Sequence, residues 1–303
     1  REEQPLILTY AAGIMGGTGF AVFFGCGLMD ALVASLVSLM IVFVGHWLGK
    51  RESNLLIYNL ILAFLAEVVI IGMDFLGIGT HQDRIMIGIV MLMISALRTT
   101  NGIREMLQRD FISGLINIMN SILGAAGIAF GIAIAMRLLG GGDSDGYVLN
   151  HNVGIQLISC TVACVGFALW FKIKGKQVIY SGIGAFFTWA IYLVVYEVWP
   201  SNFGATMAGA IFVAAYAFIM SRVNKAPATI FLTASAFPLI PGPNLYYMMY
   251  GWVSADSAMS GREMDLLLET GLCSALGFLI VDVVSRIVRD AKKMEYRVGK
   301  KTV

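Results

Sequence analysis

The sequence predicts an all-α, polytopic membrane protein: ten transmembrane helices arranged as two inverted five-helix repeats. Three observations carry this. The 303 residues are 58% hydrophobic and only 13% charged, where a soluble domain carries about 25% charged residues. Mean hydropathy is +0.80. The basic residues also alternate from loop to loop, and two apolar segments at matching places in the two halves are too short to span.

Apolar runs of membrane length fall at 6–25, 31–48, 55–77, 113–139, 153–171, 178–198, 203–221 and 266–288. Two shorter runs, 84–97 and 228–240, complete ten. Each supplies about half to two-thirds of the roughly 20 apolar residues a span needs. With the N-terminus inside, 18 of the 21 Lys and Arg lie on the inner side, and only Arg84, Arg137 and Arg262 lie outside. This is the asymmetry of the positive-inside rule, and it places both termini in the cytoplasm. Five spans per half is odd, so the second half must be inverted relative to the first. The expected units are residues 1–139, an acidic linker at 140–152 on the far side, and residues 153–303 with a basic cytoplasmic tail. Because the chain begins with Arg1, its natural start is expected upstream, with the first span acting as its own insertion signal.

Composition excludes several classes. The net charge of +2 sits in loops and tail, so no nucleic-acid partner is expected. His46, His81 and His151 are scattered. Cys160 and Cys164 share a helix face without a neighbouring acid and read as small apolar packing residues. No metal, no cofactor and no catalytic set is expected, hence no enzyme. The 34 glycines suit close helix packing in lipid.

Paired interruptions in corresponding segments point to a transporter's binding site. In the first half the break is expected at Arg98-Thr99-Thr100-Asn101-Gly102. Arg98, Arg104 and Arg109 flank it, either as topology-setting charge or as substrate contacts, with Arg104 nearest the Thr-Asn pair. In the second half the break is expected from Phe237-Pro238 through Pro241-Gly242-Pro243-Asn244. Two prolines there remove donors, and Gly242 adds freedom. Freed amides and carbonyls would hold a zwitterion. In the fifth span Ser113, Asn117, Asn120, Gly124, Gly127 and Gly131 share one face. Its glycines read as a packing seam. Asn117 and Asn120 would contact substrate or a neighbouring helix.

Acids come next. Glu67 lies near the middle of the third span with no base in the span, and Asp74 follows on the same face. An ionisable group at that depth is a functional hypothesis by default, so Glu67, with Asp74, is the expected proton-coupling site. Asp282 is expected to pair with Arg286 at i+4, Asp30 to cap the second span, and Asp265 and Glu269 to mark a solvated helix start.

Taken in order, the chain resembles the threonine/serine exporter family. The matching residues are the Phe-Phe-Gly-Cys-Gly-Leu-Met-Asp run ending at Asp30, Thr100-Asn101-Gly102-Ile103-Arg104-Glu105, Asp110-Phe111-Ile112-Ser113-Gly114-Leu115, Pro227, Pro238-Leu239-Ile240-Pro241-Gly242 and Tyr246-Tyr247. The resemblance covers nearly the whole chain. It implies export of small amino acids, chiefly threonine and serine, across the inner membrane by proton motive force. Split members of the family are linked to succinate instead. Two departures stand out: Ser95-Ala96 replaces the family's Pro-Gly, and its soluble N-terminal domain has no counterpart in these residues. The expected partners are therefore a small-molecule substrate and the lipid bilayer, with a homo-oligomer left open. A dicarboxylate exporter, a non-coupled channel and a non-transporting scaffold are the alternatives.

Overall fold

Several helices start where a side chain satisfies the orphan amides of the first turn. Asn54 accepts from Leu56 N–H, Asp110 from Ser113 N–H, Asn152 from Gly154 and Ile155 N–H, and Ser201 from Gly204 N–H. The structure is a computed structural model describing residues 5–79, 81–94, 96–140 and 149–299. It contains α1 (Leu6–Phe23), α2 (Leu28–Leu48), α3 (Leu55–Phe75), α4 (Gln82–Met93), α5 (Ala96–Leu107), α6 (Phe111–Leu139), α7 (Val153–Trp170), α8 (Lys176–Val198), α9 (Asn202–Val223), α10 (Ala228–Ser235), a 3-10 turn (Phe237–Leu239), α11 (Gly242–Val253) and α12 (Ser257–Gly299). The chain is an all-α polytopic membrane protein. Among the described residues eight helices are each long and apolar enough to cross a membrane, and the bent pair α4–α5 makes a ninth candidate. The segment expected as the ninth span is α10, the 3-10 turn and α11. Helix α12 starts well before the expected 266 and runs on into the basic tail. Most of the expected linker, 141–148, lies outside the described residues. Its end is anchored: Asn150 donates through its backbone and side chain to the Phe23 and Val22 carbonyls.

Helix pairing in the second half mirrors the first. α3 packs on α6 as α9 packs on α12. α5 packs on α6 as α11 does on α12. α4 lies against α1, α2 and α3, and α10 against α7, α8 and α9. α11 crosses to α6, and α5 crosses to α12. One pairing among the substantial ones, α4 with α11, has no such counterpart. The two leading helices meet each other along their lengths: Gly13 faces Trp170, Gly16 faces Phe167 and Gly19 faces Ala163. Rising numbers on α1 meet falling numbers on α7, so the two run antiparallel.

Small residues set these approaches. A Cβ on Gly127 would lie 2.4 Å from the Leu56 carbonyl oxygen, and one on Gly131 2.4 Å from that of Leu60. The glycine stripe on α6 is therefore the seam against α3. In lipid such seams hold by van der Waals contact, which falls away steeply with separation. Gly131→Val is expected to cost at least about 1–3 kcal/mol through overpacking. Gly72→Ala on α3, where nothing lies within 4 Å, is expected to be neutral. Thermal unfolding in detergent measures both.

Loops 49–54, 108–110, 171–175 and 224–227 lie at one end of the bundle and carry most of the basic loop residues. This is called the basic end below, and the other the far end.

Candidate functional site

Both interrupted segments break, though the first does so earlier than expected. α4 ends at Met93, and Ile94 is extended at ψ 135°. The chain then bends by 53° into α5. Arg98-Thr99-Thr100-Asn101-Gly102, expected to be the break, is helical. Packing overrides weak propensity here: Thr99 and Thr100 are buried, and Gly102 lies close against the Gly114 carbonyl. Ser95 lies outside the described residues.

In the second segment α10 ends at Ser235, the 3-10 turn holds Pro238, and Ile240 is extended at ψ 126°. Pro241 is the N-cap of α11 and Pro243 sits in its first turn, where a missing N–H leaves no helical bond unmade. The two breaks meet. A Cβ on Gly242 would lie 2.5 Å from Met91 Sδ and 3.4 Å from Ile94 Cγ2. A larger residue at 242 would have to displace the Met91 side chain.

A cavity opens on each side of the crossing. On the far side a cavity of about 90 Å³ is lined by Phe23, Phe24, Trp189, Asn202, Thr206, Thr270 and the stretch from Phe237 to Pro241 with Pro243 and Asn244. On the basic side a cavity of about 330 Å³ is lined by Ile94, Arg98, Asn101, Phe167, Trp170, Phe171 and Phe237. Phe237 lines both. Its ring stacks on Phe167 with centroids 4.1 Å apart, and Phe20 and Phe171 flank the pair. These rings form a partition between the cavities.

The expected site residues divide accordingly. Asn101 faces the basic-side cavity, Pro241 and Asn244 face the far one, and Gly242 sits at the crossing. Thr99 and Thr100 hydroxyls are buried without hydrogen-bond partners among the described residues. Arg104 is paired: it donates to Asp282 Oδ2 of α12, tying the two halves together. Asp282 therefore does not depend on Arg286, which is exposed, because the crossing of α5 and α12 supplies a nearer cation. Asn117 Nδ2 donates to Glu105 Oε2 over 2.8 Å, and Ser113 Oγ donates to the same oxygen over 3.0 Å. Asn117 thus holds a neighbouring helix, the second of its two expected roles. Asn120 is half-buried one turn on and lines neither cavity.

Glu67 is 1% exposed, and its Oε2 has no hydrogen-bond partner among the described residues. Tyr246 of α11 lies within electrostatic range of it. Asp74 instead accepts from Gln82 Nε2 at 2.7 Å. Asp30 is not the cap but the third residue of α2. Its Oδ2 accepts from Gly27 N–H and lies 3.0 Å from His81 Nδ1. Burial, with Asp30 alongside, pushes the Cys26 thiol up.

One acid escaped the sequence reading. Glu263 is buried, and its Oε2 accepts from Asn244 Nδ2 at 2.9 Å. Asp265, expected with Glu269 at a solvated helix start, is exposed. Glu263 follows Arg262 in a polar stretch that reads as solvated, and only the position of α11 turns it inward. It mirrors the Glu105–Asn117 pair of the first half: in each half an amide–carboxylate bond ties the broken segment to the helix that follows.

Two family models match the chain. One, described as "Putative threonine/serine exporter", matches residues 1–139. The other, described as "Threonine/Serine exporter, ThrE", matches residues 156–284. A protein of Corynebacterium glutamicum named "Threonine/serine exporter" is 21% identical, over 95% of this chain and 62% of that protein. The chain thus spans about 62% of that relative's length. No solved structure matches the chain.

Proposed function

Because the chain belongs to the threonine/serine exporter family, we propose that it exports small amino acids, threonine and serine among them, by alternating access driven by the proton motive force. The observation that carries this is the crossing of two broken segments between two cavities. Backbone that leaves the helix at membrane depth has to line a cavity or be buried in protein, and a transporter site lies where such segments meet.

The ten-span, inverted-repeat architecture belongs to the same reading. Residues 1–139 and 153–303 are the two repeats, joined through 140–152. The mirrored helix pairing and the antiparallel α1–α7 contact support it. The basic end is cytoplasmic under the positive-inside rule, which puts both termini inside a multi-pass inner-membrane protein. Substrate occupies the crossing, reached by Asn101 and the buried Thr99 and Thr100 from one side and by Pro241, Gly242 and Asn244 from the other. Arg104 and Asn117 hold α5 in place around it, and Asn120 remains a contact for a shifted state. Glu67 carries the proton, with Asp74 at the far end of the same helix.

Counterflow in proteoliposomes with labelled threonine, serine and succinate tests the reading. Saturable exchange of the amino acids is expected. Succinate exchange without amino-acid exchange would replace the substrate class, and unsaturable flux would make the protein a channel. A dicarboxylate calls for paired cations. Arg98 is the one base lining the basic-side cavity among the described residues.

A further inference from the structure

Asn202 opens α9 without capping it, since Ser201 Oγ already accepts from Gly204 N–H. Its amide is turned into the far-side cavity instead. Oδ1 accepts from Tyr192 Oη at 3.1 Å and from Thr206 Oγ1 at 3.3 Å, and Nδ2 donates to Thr270 Oγ1 at 3.2 Å. Four neutral polar groups from α8, α9 and α12 thus converge on one wall of the cavity. The opposite wall is the second break, with Pro241, Pro243 and Asn244. Phe23, Phe24 and Trp189 supply the apolar remainder.

The chemistry of this wall is narrow. Asn202 Oδ1 is taken up by two hydroxyls, so the wall offers a guest the second N–H of Nδ2 as a donor and the Tyr192, Thr206 and Thr270 oxygens as acceptors. A carboxylate or ammonium would find no opposite charge on it, whereas a hydroxyl finds both halves of its hydrogen-bonding need. The cavity, at about 90 Å³, is well below the roughly 300–1,000 Å³ of a drug-sized pocket, so the wall fits a small side chain. We infer that Asn202, with Thr270, reads the side-chain hydroxyl of the amino acid and so selects threonine and serine over their deoxy analogues. This rests on the exporter reading and adds to it the residue that sets specificity. The physical basis is asymmetric: a site built to hydrogen-bond a hydroxyl is left with unpaired buried polar groups when the hydroxyl is missing, which discriminates far more strongly than an apolar pocket.

The test compares two substrate pairs differing by one hydroxyl, threonine against 2-aminobutyrate and serine against alanine, through the full chain in proteoliposomes. The wild type is expected to favour the hydroxylated member by at least about tenfold in kcat/KM. Asn202→Ala is expected to bring that ratio close to one, by raising KM for threonine and leaving that for 2-aminobutyrate nearly unchanged. Thr270→Val, which keeps the shape, is expected to shift the ratio the same way and guards against a folding defect in the first variant. A purely structural role would lower both members of each pair together. The inference is overturned if the wild type does not discriminate, or if both variants keep its ratio. Transport of neither pair by the wild type would overturn the exporter reading itself, and this inference with it.

Discussion

Glu67→Gln abolishes the response of threonine efflux to a pH gradient, while threonine–threonine exchange at equal pH stays within about twofold, as expected for a group that supplies coupling rather than barrier lowering. The expectation follows from position. Glu67 is a carboxyl in the interior of α3 with an oxygen that finds no partner among the described residues, and a charge held that way is expensive in a membrane protein. Tyr246 on α11, close to the second break, lies within electrostatic range of it, so a change of charge at Glu67 is felt by that segment. Glutamine keeps the shape and the polarity but cannot exchange a proton. The measurement is efflux from preloaded proteoliposomes with and without an imposed gradient. An unchanged gradient response in the variant would remove Glu67 from the mechanism.

Phe237→Ala turns the protein into a leak. Among the described residues Phe237 is the one ring that lines both cavities, and it stacks on Phe167 between them. Removing the ring opens a direct path and also costs about 3–5 kcal/mol of packing, less whatever relaxation recovers. Passive efflux of threonine in the absence of any gradient is expected to rise at least about tenfold, since a tenfold rate needs only about 1.4 kcal/mol off the barrier. Phe237→Leu keeps much of the volume and is expected to stay tight. If the alanine variant folds and leaks no faster than wild type, the partition lies elsewhere. Thermal unfolding, run alongside, separates a leak from a loss of fold.

Much of the fold was legible because membrane physics leaves few options. Apolar length and the α6 glycine stripe each have a local signature, and each appears where the spacing placed it. The first break did not. Ile94 is neither proline nor glycine, so nothing local marks it, whereas Thr99 to Gly102 look like a breaker and are helical because α6 and α12 pack around them. The second break was legible through its prolines. The polar contacts that matter most, Arg104 with Asp282, Asn244 with Glu263 and Asn202 with Thr270, join residues 178, 19 and 68 positions apart. No periodicity reports such pairs. Polar residues near helix starts look the same in sequence whether they face water or a cavity.

The thinness of the partition at Phe237 has an electrical consequence. Wherever water enters the two cavities from opposite faces, it brings the bulk potentials of both sides toward the partition, and the transmembrane voltage then falls mainly across that layer rather than across a whole bilayer. A charge crossing only that layer does nearly all of the electrical work, about 2.3 kcal/mol per elementary charge at 100 mV. A zwitterionic amino acid carries no net charge through it. Under the proposed proton-coupled mechanism, voltage therefore acts on export through the accompanying proton.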